Sequence, residues 1–432
     1  MNPSLHGLRI VVTSPPERWF YGLAHQYAAR YADVLRAGGA EVLAIPVAAF
    51  KPGPSGQIRA VVESIRRFRP DLAIGLHDAG YALLCQGARE GDSAPSNVFV
   101  DWLDLPTVMI WDHGMLQFAP LLLGKLPDAP TESAPDCLGR IRRALEHPLY
   151  VHVARDTGQR DLVDQLGVLG RDRVAIEVSF AHPEFSEASP DVPVGAEVAF
   201  FGHMPHVAPD LGPARHHPAL GLAFEATLDE KLAHLEVPAI GRYMQRLAEL
   251  PALLKTAMRL DEDQSYYWSL VTSGAGLLQA RLRAAVLERL NRPVAFYGDA
   301  GGLTMGATVQ LRPERFAFGA DLAAAYAGTK IVVDVVNPGF IHGFGTKAIN
   351  CFAAGGFLLQ DRKDDFVRTF GEPGELASYS TLDELRAKID RFLTQDDARR
   401  EVSAAIRAQI VEQHTLPVVF ARLIERALAL RR

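Results

Sequence analysis

The chain has 432 residues, with 45 Lys plus Arg against 51 Asp plus Glu, and a formal net charge of −6. Apolar residues make up 48 % and charged residues 22 %, which excludes a disordered or fibrous chain. One hydrophobic core rarely outgrows about 300 residues, so two domains are expected. The mild acidity argues against a surface built to hold nucleic acid.

No run approaches the roughly 18 apolar residues needed to cross a bilayer, so no transmembrane segment is expected. The start, MNPSLHG, has no basic region followed by an apolar stretch, so no signal peptide is expected either. Cys85, Cys137 and Cys351 are odd in number, widely spaced and free of any CxxC pair, which fits a reducing, cytoplasmic setting.

From the N-terminus, apolar and β-branched runs at 9–13, 41–47, 71–76, 107–111, 149–153 and 174–180 read as strands. Helical spacing at 22–37 ends at Gly38-Gly39, and that at 58–68 stops before Pro70. Strands alternating with helices predict a parallel, doubly wound sheet, whose ligands gather at the carboxyl ends of the strands. Residues 181–195, with Pro183, Pro190 and Pro193, read as a linker. A new strand at 197–201 ends in Gly202-His203, and residues 220–290 are helical without strand signal. Alternation resumes at 293–297, ending at Gly298, then at 330–335 and 356–360, and 382–432 is helical.

The expected fold class is therefore α/β, with two Rossmann-like doubly wound domains facing a cleft. Residues 1–185 form the first domain and 196–414 the second, which carries a helical insertion over about 206–290. Residues 415–432 form a last helix. Three uses stay open for the insertion: covering the acceptor side, forming a homodimer interface, or enlarging the second core.

Residues 328–417 are the most informative. A strand and the turn Asn337-Pro338-Gly339 lead into His342-Gly343-Phe344-Gly345-Thr346-Lys347 and a helix at 348–354, closed by Gly355-Gly356. A glycine-rich entry lets backbone approach a ligand, and a helix start offers unpaired N–H groups and a positive dipole end. Thr346 adds a hydroxyl and Lys347 a cation, a combination suited to a diphosphate. This segment, with GTKIVVDVV before it and the helical tail through His414-Thr415 behind it, resembles the nucleotide-binding half of GT-B glycosyltransferases. It is most similar to the spore-maturation-protein type with its group 1 module.

The resemblance implies a hexosyltransferase-like enzyme that moves a sugar from a UDP- or GDP-linked donor to a small-molecule, glycan or protein acceptor. It implies no separate cofactor, no metal and a last helix that crosses back onto the first domain. Many relatives carry a glutamate, seven residues, then a second glutamate; the first is expected near the donor sugar and the second on the ribose. Here those positions are His342 and Asn350. The departure keeps two alternatives open: a protein of this fold that binds a nucleotide sugar without transfer, and another nucleotide-sugar enzyme such as an epimerase.

The donor side is thus expected to use Gly345, Thr346, Lys347, Asn350 and His342. Gly202 and Gly298 end strands of the same half, and Asp299 follows Gly298 within reach of a base or ribose. An inverting transfer needs a base for the acceptor hydroxyl. Asp112-His113 is the first choice, directly after an apolar strand; His77-Asp78 and His182 also end strands of the first half. Thr13 through Arg18 is a candidate acceptor loop, although tandem prolines also make a stiff turn. His203, His206, His216 and His217 lie in a proline-rich loop without zinc-type spacing. Asp261-Glu262-Asp263 matches DxD literally but sits in helical, charged sequence. Tyr266, Tyr267 and Trp268 read as core, and Cys351 as a small buried helix residue.

Overall fold

The protein is described from a computed structural model covering residues 5–14, 23–46, 56–76, 84–85, 96–111, 142, 145–188, 195–204, 217–258, 260, 264–302 and 304–431. The first half builds one sheet from β1 (Arg9–Ser14), β2 (Glu41–Pro46), β3 (Leu72–Leu76), then, beyond the short ribbon β4 (Leu84–Cys85) and β5 (Ser96–Asn97), β6 (Thr107–Trp111), β7 (Tyr150–Ala154) and β8 (Val174–Ile176). Their order is β2-β1-β3-β6-β7-β8, every pair parallel. The central strands β3, β6 and β7 are buried along their whole length. That is why they read as unbroken apolar runs rather than as alternation.

Both faces of this sheet are covered. Helix α1 (Leu23–Ala37) covers one, through Tyr31 and Leu35, which meet Ile10, Val12 and Ile74. Helix α2 (Gly56–Phe68) covers the other, through Val62 and Ile65 against Val11 and Ala73. After β7, α3 (Thr157–Gln165) begins at the N-cap Asp156.

The expected strand at 174–180 stops at Ile176, because the chain then turns to serve a seam. Ser179 Oγ donates to the Phe344 carbonyl at 2.7 Å, and Ala181 N donates to the His414 carbonyl at 2.7 Å. Residues 181–188 are likewise no free linker. Ala181, His182 and Phe185 are fully buried, and α4 (Pro183–Ser186) forms there.

The second half repeats the plan with a different winding. β9 (Ala196–Phe201), β10 (Val294–Tyr297), β11 (Val309–Arg312), β12 (Thr329–Asp334), β13 (Leu358–Asp361) and β14 (Ser378–Tyr379) order as β11-β10-β9-β12-β13-β14, all parallel. That is the dinucleotide-fold order, and its switch point lies between β9 and β12. Between β9 and β10 runs the helical insertion: α5 (Pro218–Ala233), α6 (Ala239–Ala248), α7 (Ala252–Ala257) and the 25-residue α8 (Gln264–Glu288).

The insertion shares the second domain's core, through Phe224, Tyr243, Leu278 and Leu282 beside Phe200 and Phe296. Trp268 is buried, as expected for core. It is also bonded to the sheet ionically: Lys231 of α5 meets Asp361 Oδ2 at 3.0 Å and donates to the Leu235 carbonyl.

The remaining helices are α9 (Ala320–Ala327), α10 (Thr346–Ala353), α11 (Asp364–Phe370), α12 (Glu372–Leu376), α13 (Leu382–Thr394), α14 (Asp396–Gln413) and α15 (Leu416–Ala429). α15 lies on the first sheet's α1 side, burying Leu416, Val419, Phe420, Leu423 and Ile424 in that core. Burial of side chains this size contributes about 2 kcal/mol each. Arg422 reaches Glu177 at 2.6 Å and fixes its orientation.

Candidate active site

The carboxyl ends of β9, β10 and β12 converge at the second domain's switch point. Gly202 follows β9 and Gly298 follows β10, both with φ near +150°. A Cβ on Gly298 would fall on the Gly202 carbonyl oxygen, so only glycine lets the two strand ends come together. The loops are then stitched. Asp299 N donates to His203 Nδ1 at 3.1 Å, Met204 N donates to the Asp299 carbonyl at 2.7 Å, and Gly301 N donates to Asp299 Oδ1 at 2.9 Å.

Lys347, in the first turn of α10, reaches back over this junction. Its Nζ lies 2.6 Å from Asp334 Oδ1 at the end of β12 and 4.3 Å from the Phe200 ring centroid. Burial pushes its pKa below the usual lysine value, against the pull of Asp334. A Cβ on Gly202 would stand 3.3 Å from this ammonium, so the bare glycine keeps space beside it.

The sequence reading missed a second cation. Arg283 of α8 donates from Nη1 to the His203 carbonyl at 2.9 Å and from Nε to the Val335 carbonyl at 3.2 Å. Its guanidinium lies 5.5 Å from the same Phe200 ring. The insertion thus ties two strand ends of the switch point together. One Arg in a long helical stretch carries no local signal of that. Lys347 and Arg283 bring two cations to the carboxylates of Asp334 and Asp299, and α10 starts at Gly345 (φ −82°, ψ 166°) with no side-chain cap. Both features suit an anion.

Other expected site residues fall elsewhere. Thr346 Oγ1 is 3.3 Å from Tyr27 Oη of α1, so it touches the first domain. His342 is partly exposed, with Nδ1 3.3 Å from Asp364 Oδ2. Asn350 is 2 % exposed, and its Oδ1 accepts from the His182 backbone N–H at 3.2 Å. This contact places the Asn350 side chain against the first half of the chain. His182 is itself fully buried beside Tyr27 and Phe318, away from a cleft surface.

Asp112, His113, His77 and Asp78 lie outside the described residues, as do Pro15 through Arg18, His206, His216 and the Asp261-Glu262-Asp263 string. Of the other loop histidines, His203 accepts as above and His217 Nδ1 accepts from Ala219 N at 3.1 Å, capping α5. Among the described residues no cluster of three His, Cys, Asp or Glu is placed to hold a metal ion. None of their helices is long and apolar enough to cross a membrane. Cys351 is fully buried, and burial pushes its thiol pKa well up, so it is no nucleophile.

Residues 279–425, from the end of α8 into α15, match the family described as glycosyl transferase-like. No curated protein matches the chain significantly. Solved structures align along nearly its whole length at low identity. A glycosyltransferase from Rickettsia africae is 10 % identical, with 98 % of this chain and 99 % of that one covered and a TM-score of 0.49. HepE of Anabaena, solved with UDP-glucose, is 11 % identical, covering 98 % and 100 %, with a TM-score of 0.49. The glycosyltransferase SnogD from Streptomyces nogalater is 14 % identical, covering 98 % and 100 %, with a TM-score of 0.39. The family match thus takes in α10 and the switch-point strand β12, on a chain built from two parallel six-stranded sheets.

Proposed function

We propose that the protein transfers a sugar from a UDP- or GDP-linked donor to an acceptor hydroxyl presented by the first domain. One observation carries this: Gly202, Asp334, Arg283, Lys347 and the uncapped start of α10 meet at the switch point of the sheet that matches the family. Backbone N–H groups and the cations of Lys347 and Arg283 receive the diphosphate. They stabilise the charge that grows on it as the sugar leaves, without calling on a metal. The acceptor hydroxyl attacks the sugar carbon while the bond to the diphosphate oxygen breaks. Its proton passes to a base, for which Asp112-His113 after β6 stays the candidate. The three widely spaced cysteines support a cytoplasmic setting for this activity.

Isothermal titration with UDP-, GDP-, ADP- and CMP-linked sugars tests the donor. One class binds, and Lys347→Ala weakens it by at least about tenfold, the loss of one charge-assisted contact. Binding by none of them overturns the proposal. Full turnover by His113→Ala removes that residue as base.

A second reading, a GT-B-like protein that binds the donor without transfer, is favoured by His342 and Asn350. Both are occupied by contacts at Asp364 and His182. Tight binding without turnover across a broad acceptor screen would select it.

A further inference from the structure

The loop that leads into α10 is held by the other domain. Asp156, at the end of β7 and 1 % exposed, accepts from Gly158 N at 2.8 Å in its own helix. Across the seam its Oδ1 accepts from His342 N at 3.0 Å and its Oδ2 from Ile341 N at 2.5 Å. Asp365 of α11 answers from the second domain: Oδ2 accepts from Thr157 N at 2.9 Å and Oδ1 from Thr157 Oγ1 at 2.8 Å. Gln159 Nε2 donates to the Gly339 carbonyl at 2.7 Å, and Ser179 Oγ holds the Phe344 carbonyl.

Two glycines make the approach close enough. A Cβ on Gly158 would come 2.5 Å from the Ile341 side chain, and one on Gly343 would come 2.7 Å from the Arg155 carbonyl. Backbone from Gly339 to Phe344 is thus fixed from the first domain, and α10 begins two residues later with Thr346 and Lys347.

We propose that Asp156 is a positioning residue for the donor site: through the Ile341 and His342 N–H groups it sets where the α10 N-terminus and Lys347 stand, so the first domain orients the donor's diphosphate without touching it. This rests on α10's start as the donor site. A buried carboxylate suits the task because its two oxygens accept three N–H groups at once. An amide in its place offers one acceptor and turns an NH2 toward a donor, which forces the loop outward.

The test compares wild type with Asp156→Asn by backbone hydrogen exchange, by titration with UDP and GDP, and by turnover with the sugar nucleotide that wild type binds best. Exchange at residues 341–342 is expected to quicken while β12 stays protected. Nucleotide affinity should fall about tenfold, since small misplacements of a binding group are costly. Donor KM should rise in step while acceptor KM holds. A merely structural role would lower the active fraction and leave both KM values alone.

Where Asp156→Asn fails to fold, Thr157→Val, which removes only the hydroxyl contact to Asp365, gives the same pattern at smaller amplitude. Unchanged exchange at 341–342, or faster exchange with unchanged nucleotide affinity, overturns the proposal. If wild type itself binds neither nucleotide nor any sugar nucleotide, the donor-site reading falls and this proposal with it. That outcome is told apart because the variant plays no part in it.

Discussion

The two sheets have the same size and strand sense, yet the polar groups buried among their central strands differ in kind. Inside the first, the polar pair between β6 and β7 is neutral. Trp111 Nε1 donates to His152 Nδ1 at 3.3 Å, and His152 Nε2 lies 2.9 Å from the Leu145 carbonyl. In the second, the strand ends carry ions. Asp334 meets Lys347, while Asp361 meets Lys231 and, at 3.6 Å, Lys363. Buried ion pairs add little net stability over an apolar core, so their concentration at one strand edge argues for preorganised charge rather than for glue. The edge they occupy is the one that offers an anion its backbone N–H groups.

The sharpest way to break this contrast is to remove one ion. Lys231→Met leaves Asp361 buried with a single, more distant lysine, and is expected to cost about 3 kcal/mol in denaturant unfolding. Burial has already pushed Lys231 down to about 8, while its lysines and the Val336 N–H hold Asp361 below the usual carboxylate value despite burial. A loss under about 1 kcal/mol would show that the pair does not anchor the insertion.

The first sheet should show the converse, a sensitivity to acid. Burial lowers the His152 pKa from 6.5 to about 4. Its folded value lies below its unfolded one, so its contribution is present above pH 6.5 and is lost as pH falls toward 4. The full loss is about 3 kcal/mol. Stability measured across that window should slope downward with acid, and His152→Gln, which cannot take up the proton, should flatten part of the slope. An unchanged slope would place the acid sensitivity elsewhere.

The strand-end glycines separate stability from binding. Gly298→Ala sets a Cβ against the Gly202 carbonyl at positive φ and should cost about 2 kcal/mol. Gly202→Ala carries the same positive-φ strain but meets only the tip of Lys347 and the edge of Phe200, so it should cost less stability than Gly298→Ala and weigh more on nucleotide affinity. Equal effects on both measures would contradict the separation. Smallest, Ser179→Ala removes one buried seam hydrogen bond to the Phe344 carbonyl and should cost about 1 kcal/mol by thermal or denaturant unfolding.

Central strands were legible because burial on both faces leaves unbroken apolar runs: 72–76, 107–111 and 150–154 match the expected strands to within a residue. Edge strands were not. β11 has one buried residue followed by three exposed ones, and β14 spans two residues, so neither carries a pattern long enough to read. At the site, Lys347 was visible because glycines and a helix start flank it in sequence. Arg283, Asp334 and Asp156 were not, because each acts through partners between 13 and 186 residues away. His342 and Asn350 were found as positions, while their contacts were not.

The sequence by itself determined two alternating α/β halves, the helical stretch between β9 and β10, and the glycine-rich entry to α10. All of these rest on periodicity and turn chemistry within a few residues. Tertiary structure decided which winding each sheet adopts, that α8 supplies Arg283 to the switch point, and that α15 belongs to the first sheet's core. It also decided that the loop before α10 is held by Asp156 rather than left open. Such choices depend on which distant groups can satisfy a buried carboxylate or a bare N–H, and only the assembled chain brings those groups within hydrogen-bond reach.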